Sequence, residues 1–128
     1  MEIRNANTGR IYGKWPLQET GEFAIEFIHS VHQSPVRETF VVEGGMIRPE
    51  VVRFSSFGAG MRSDIEEGQK LSRDGEYLLI TGFGYSSREL NYITGTHVLF
   101  INGEKIILSD LCGKNAHITI CLSGGNNR

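Results

Sequence analysis

A histidine and a glutamate occupy inward positions of the stretch 22–43, EFAIEFIHSVHQSPVRETFVVE, which otherwise follows an alternating strand pattern. Side chains in a strand alternate between two faces, so His29 shares its face with Phe27, and Glu38 shares its face with Phe40. An imidazole beside a carboxylate can pair with it, transfer protons or bind a polar ligand. His29 and Glu38 are therefore the first candidates for chemistry in this sequence.

The sequence predicts a hairpin that brings these two residues together. With a four-residue loop over 32–35, ending in Pro35, His29 lies opposite Glu38 and Phe27 lies opposite Phe40. A buried carboxylate is costly alone, but an imidazole partner offsets much of that cost. Three interpretations stay open: a structural pair that fixes the register, the polar floor of a ligand pocket, and the acid–base pair of a small hydrolase or isomerase.

Metal and covalent chemistry have weak support. His29 and His32 point to opposite faces of an extended strand, so their spacing does not favour a zinc site. His97 and His117 lie on other candidate strands, and no pattern in the sequence brings them close. The serines lack the motif that surrounds a catalytic nucleophile. We therefore expect no metal, no cofactor and no catalytic residue outside the alternative pair of His29 and Glu38.

A second unusual stretch is RFSSFGAGM, residues 53–61, in which two glycines flank an alanine. Such a turn can direct successive backbone N–H groups at an anion, or it can form a tight bend that another strand crosses closely. It lacks the lysine and the later glycine of a phosphate-binding loop, and TGFGYSS at 81–87 lacks them too. The candidate binding residues are His29, Ser30, Glu38, Ser56, Phe57, Gly58, Ala59 and Gly60.

Short runs of β-branched and aromatic residues between glycines predict one all-β domain over residues 1–128. We expect an antiparallel sandwich or partly open barrel of about nine strands. Asn102-Gly103 predicts a two-residue hairpin, and the charged stretch 61–76 predicts a surface excursion. The predicted strands cover residues 10–14, 22–30, 36–43, 46–55, 76–82, 90–94, 97–102, 105–110 and 116–122.

Composition excludes several classes of function. The formal net charge is -2 and the basic residues are scattered, which argues against nucleic acid as a partner. No apolar run approaches the roughly 18 residues of a membrane span. Cys112 and Cys121 can form a disulfide across a hairpin in an oxidising compartment, or remain two reduced thiols elsewhere.

The pairing of IHSVHQSPVRETF with RFSSFGAGM resembles a bacterial family known as domain of unknown function 1850. The resemblance is strongest over residues 9–61. Members typically carry an N-terminal signal or anchor and often accompany TRAP transporters of the TAXI type, which import small organic acids. The resemblance implies an extracytoplasmic accessory domain whose partner is a transporter component or a small organic solute. The first residues, MEIRNANTGR, are polar and lack the apolar stretch of a secretory signal, so a cytoplasmic location stays open as the alternative.

Overall fold

Alternating runs of β-branched and aromatic residues, separated by glycine-containing turns, form the strands of this protein. A computed structural model describes residues 1–17, 21–29, 33–55 and 66–122. Within those ranges the bounds are β1 Glu2–Asn5, β2 Ile11–Lys14, β3 Glu22–Ile28, β4 Pro35–Glu43, β5 Met46–Ser55, β6 Lys70–Asp74, β7 Tyr77–Thr81, β8 Glu89–Ile93, β9 Val98–Ile101, β10 Glu104–Ile107, α1 Leu108–Cys112 and β11 His117–Cys121.

The strands form two antiparallel sheets that pack on each other. One sheet has the order β2-β1-β11-β8, and the other has the order β10-β9-β3-β4-β5-β7-β6. A single cluster of buried apolar side chains lies between the sheets, with Ile3, Ile118 and Ile120 on one side and residues such as Ile25 and Leu99 on the other. This arrangement confirms the all-β sandwich, because the sheets do not close into a barrel.

The hairpin at Asn102-Gly103 is confirmed. It joins β9 to β10, and both residues have positive φ, 53° for Asn102 and 79° for Gly103. A two-residue turn of this type requires positive φ at both central positions, which asparagine and glycine tolerate best. Gly44-Gly45 connects β4 to β5 with the same signs of φ.

Most predicted strand bounds agree with the structure to within two residues, and three assignments are wrong. The run predicted over 105–110 leaves the sheet at Ile107 and continues as α1, whose Leu108 is fully buried. Part of the predicted surface excursion at 61–76 is the edge strand β6, which has one apolar residue, Leu71. β1 was missed because Ile3 is the only large apolar residue within its four positions.

The predicted register of the β3–β4 hairpin is also wrong. Glu38 lies opposite Ile25, while Phe23 lies opposite Phe40 and Phe27 opposite Val36. Six residues, not four, separate Ile28 at the end of β3 from Pro35 at the start of β4. Stacking of Phe23 on Phe40, with ring centroids 5.3 Å apart, accompanies the observed register.

Candidate functional site

Glu38 is held between the two sheets by a single hydrogen bond. It lies on the inner face of β4, between Ile25 of β3 and Val52 of β5. Its Oε1 accepts a hydrogen bond of 3.1 Å from the hydroxyl of Tyr92 on β8. Because β8 belongs to the four-stranded sheet, this bond joins the sheets to each other. Burial raises the pKa of Glu38, and the Tyr92 hydrogen bond opposes that rise.

His97 lies beside this bond, at the residue before β9. Its ring stacks on Phe27 with centroids 5.1 Å apart, and it contacts the tilted ring of Tyr92 at 5.3 Å. The Nδ1 atom of His97 is buried and has no hydrogen-bond partner among the described residues. Burial lowers the pKa of His97, which favours the neutral imidazole. A neutral imidazole has one donor and one acceptor nitrogen to offer.

We call these four residues, Phe27, Glu38, Tyr92 and His97, the Tyr92 cluster. The cluster combines a carboxyl whose acid form is favoured, a phenol and a neutral imidazole, with aromatic rings between them. Opposite shifts of pKa in neighbouring groups are typical of functional sites. A few converging polar groups set in an aromatic wall are also what a pocket for a small polar ligand requires.

Several chain segments reach the end of the seven-stranded sheet where the cluster lies. β3 finishes there, β4 starts there, β5 finishes there with Ser55, and His97 leads into β9. The turn between β3 and β4 begins at His29, whose N–H donates to the carbonyl of Ser34 at 2.8 Å. The Oγ of Ser34 is a second buried atom without a partner. Of the three such side-chain atoms in the described ranges, two therefore belong to this end of the sheet, and the third is Nε of Arg4.

The structure does not place His29 opposite Glu38, so the acid–base pair loses its predicted geometry. His29 is four positions along the chain from Ile25, the residue that faces Glu38, and this spacing is about 13 Å along an extended strand. His29 itself is partly buried and has further interactions. The other sequence candidates, Ser30, Ser56, Phe57, Gly58, Ala59 and Gly60, lie outside the described residues.

The structure also places the possible metal ligands and the two cysteines of the described part of the chain. There, no three His, Cys, Asp or Glu side chains lie close enough to hold a metal ion. Cys112 and Cys121 are free thiols in this structure, which is the second of the two states that the sequence left open. Burial raises the pKa of both thiols, to about 11 for Cys112, and this makes them poor nucleophiles. No helix in the described ranges is long and apolar enough to cross a membrane.

Comparison with known proteins places the chain in a family. A family model described as domain of unknown function (DUF1850) matches residues 23–108. The chain belongs to this family. No curated protein and no solved structure matches it. The part matched to DUF1850 contains the whole Tyr92 cluster and His29, whereas β1, β2 and β11 lie outside it.

Sequence reasoning on this DUF1850 member identified Glu38 but missed Tyr92 and His97. Tyr92 had a usable signal, because it alternates with Leu90 on a strand and is a polar group on an inward face. His97 had no such signal in the sequence. It precedes its strand, and only the order of strands in the fold brings it to Phe27 and Tyr92.

Replacing Tyr92 with Phe removes the donor that satisfies Glu38 and keeps the ring. We expect Tyr92→Phe to lower the free energy of unfolding by about 1–3 kcal/mol, the cost of leaving a buried polar group unsatisfied. Urea denaturation measures the change. Tyr85→Phe is the matched control because Tyr85 is 58% exposed, and it is expected to have little effect. Equal losses in the two variants would show that the Tyr92 bond adds no stability.

The pH dependence of stability is expected to reflect Glu38 and His97 with opposite signs. Above the ordinary carboxyl pKa of 4.5, the folded chain holds a proton on Glu38 that the unfolded chain has released, so the free energy of unfolding falls as pH rises through that window. Below the ordinary imidazole pKa of 6.5, the unfolded chain protonates His97 first, so stability rises as pH approaches that value.

Glu38→Gln removes the first contribution. Its free energy of unfolding, measured with urea from about pH 4 to pH 7.5, is expected to increase relative to wild type as pH rises. Glu50→Gln, at an exposed position of β5, is the control and is expected to run parallel to wild type. A constant difference between Glu38→Gln and wild type at every pH would contradict a raised pKa at Glu38.

Proposed function

We propose that this protein is a non-enzymatic, extracytoplasmic binding domain that works with a TAXI-type TRAP transporter and holds a small organic acid at the Tyr92 cluster. The observation that carries the proposal is the pair of buried, unpartnered polar atoms, Nδ1 of His97 and Oγ of Ser34, at the end of the sheet that holds Glu38. Buried polar atoms in folded proteins nearly always have partners, so two orphans at one end call for a ligand group.

The chemistry of the cluster suits an organic acid. Carboxyl oxygens of such a ligand accept hydrogen bonds from a hydroxyl and from an imidazole N–H, which Ser34 and His97 supply. The raised pKa of Glu38 reduces the negative charge that would repel the ligand. The rings of Phe27 and Tyr92 supply the apolar wall that small-molecule sites require.

The family resemblance is the basis for the proposed transporter partner and for the proposed extracytoplasmic compartment. Members of the DUF1850 family typically carry a signal or anchor and often accompany TAXI-type transporters, whose cargo is small organic acids. A domain that binds the same class of solute beside the transporter would deliver, sense or retain that solute. The match over residues 23–108 covers the residues needed for binding.

Ligand-induced stabilisation tests the solute. A panel of acetate, succinate, glutarate and 2-oxoglutarate is added to the whole chain, and thermal melting and calorimetric titration are recorded. We expect at least one acid to raise the melting temperature in wild type and to lose about tenfold in affinity in His97→Gln and Ser34→Ala, since each substitution removes one hydrogen bond to the ligand. Ser72→Ala is the control because Ser72 is exposed on the edge strand β6. If the acid that stabilises wild type binds His97→Gln and Ser34→Ala equally well, the assignment to the Tyr92 cluster is wrong.

Copurification tests the transporter. A tagged chain expressed with a TAXI-type transporter encoded beside it is expected to recover the transporter's solute-binding or membrane subunit from detergent extracts. Lys114→Gln, at an exposed position outside the matched range, serves as a variant whose surface charge changes while the Tyr92 cluster is kept, and it is expected to recover the same subunit. Recovery of neither subunit, or equal recovery by an unrelated β-sandwich, would contradict the partnership.

A further inference from the structure

A cavity lies on the outer face of the seven-stranded sheet, opposite to the face that holds the Tyr92 cluster. Its volume is about 520 Å³, within the range of small-molecule sites. The cavity is lined by residues of four strands and one turn. They are Glu22 and Ala24 of β3, Arg37 and Thr39 of β4, Phe100 of β9, Lys105 of β10, the Asn102-Gly103 turn and Glu104. We call it the Arg37 cavity. It is separate from the Tyr92 cluster because Arg37 and Glu38 are consecutive on β4 and face opposite sides of the sheet.

The Arg37 side chain is held in place at this cavity. Its guanidinium lies over the ring of Phe100, 4.5 Å from the centroid, and its Nη1 donates to Oε2 of Glu26 at 3.3 Å. The side chain is 32% exposed, so part of the guanidinium still faces solvent. Because two contacts already fix its position, Arg37 loses little conformational freedom when it binds an oxyanion through its other N–H groups.

The floor of the cavity is small and apolar. Ala24 lies on the outer face of β3, between Thr39 of β4 and Phe100 of β9. Although an outer-face residue, Ala24 is only 4% exposed. A methyl group between larger neighbours makes a depression, and the ring of Phe100 forms one wall of it. Such a surface suits a short aliphatic chain.

The cavity carries charges of both signs. Lys105 lies directly opposite Phe100, and within the described residues no carboxylate lies within ion-pairing distance of it. Glu22 lies toward the Asn102-Gly103 turn and is likewise unpaired within the described part of the chain. Lys105 lies in the same row of the sheet as Ala24 and Phe100, and Glu22 is two residues along β3 from that row, a spacing of about 7 Å. Lys105 and Glu22 are therefore offset along the strands by the length of a few carbon atoms.

We propose that the Arg37 cavity binds a small zwitterion, in which an ammonium and a carboxylate are joined by a short aliphatic chain. Arg37 and Lys105 bind the carboxylate, Glu22 binds the ammonium, and the chain lies over Ala24 and the Phe100 ring. A simple anion would meet the carboxylate of Glu22, and a simple amine would meet the two basic side chains. A ligand that carries both charges satisfies both ends of the cavity.

Calorimetric titration of the whole chain with three matched probes tests this proposal. The probes are 5-aminopentanoate, which carries both charges, pentanoate, which lacks the ammonium, and pentylamine, which lacks the carboxylate. We expect 5-aminopentanoate to bind at least about tenfold more tightly than either of the others. Equal affinity for all three, or no binding of 5-aminopentanoate, would overturn the proposal.

Variants then locate the site. Arg37→Gln and Lys105→Gln are each expected to weaken 5-aminopentanoate by about tenfold, since each removes a charged partner of the carboxylate. Arg48→Gln is the control: Arg48 also pairs with a glutamate, Glu43, but does not line the cavity. Should Arg37→Gln fail to fold, the exposed Lys105 still gives a readable variant. Undiminished binding in Lys105→Gln and in folded Arg37→Gln would place the ligand elsewhere. The acids that test the Tyr92 cluster are measured on other variants, so the two assignments fail independently.

Discussion

The hydrogen bond from Tyr92 to Glu38 is the constraint on which the site depends. A carboxyl placed between two sheets loses much of its contact with water, and a polar group that is desolvated without a partner is costly. Glu38 is tolerated because the second sheet supplies a phenol at 3.1 Å. That requirement fixes how β8 lies over β4, and His97 is then enclosed between Phe27 and Tyr92. The unusual pKa directions of Glu38 and His97 both follow from this enclosure.

The error in the β3–β4 register shows what alternation can decide. The predicted and observed registers both put Phe27, Glu38 and Phe40 on the inner face, because they differ by an even number of residues. The hydrophobic pattern is identical in both, so only the turn and the packing of specific rings separate them. The turn has six residues, and part of it, 30–32, lies outside the described ranges. Sequence pattern therefore assigned faces correctly and neighbours wrongly.

Local signals gave the strands and the Asn102-Gly103 turn, whereas the site is assembled by long-range topology. Tyr92 is 54 residues from Glu38 along the chain, and no periodicity connects them. The sequence did not predict α1 either. The isoleucines before it follow a strand pattern, and the helix begins at Leu108, which is buried in the core. The sequence did show that the position of Glu38 is unusual. A glutamate at an inward position of a strand requires a partner, but the sequence did not identify Tyr92 as that partner.

One strand, β4, presents chemistry to both faces of its sheet. Glu38 points into the sandwich toward Tyr92, and the neighbouring Arg37 lies outward over Phe100. The inner residue is held by the four-stranded sheet, while the outer one is held within its own sheet by Glu26 and Phe100. β4 is also central, with β3 and β5 on either side, so it has little freedom to shift. The strands outside the family match supply mainly buried support such as Ile3 and Ile120, whereas Arg37, Glu38 and Tyr92 all lie within the matched segment.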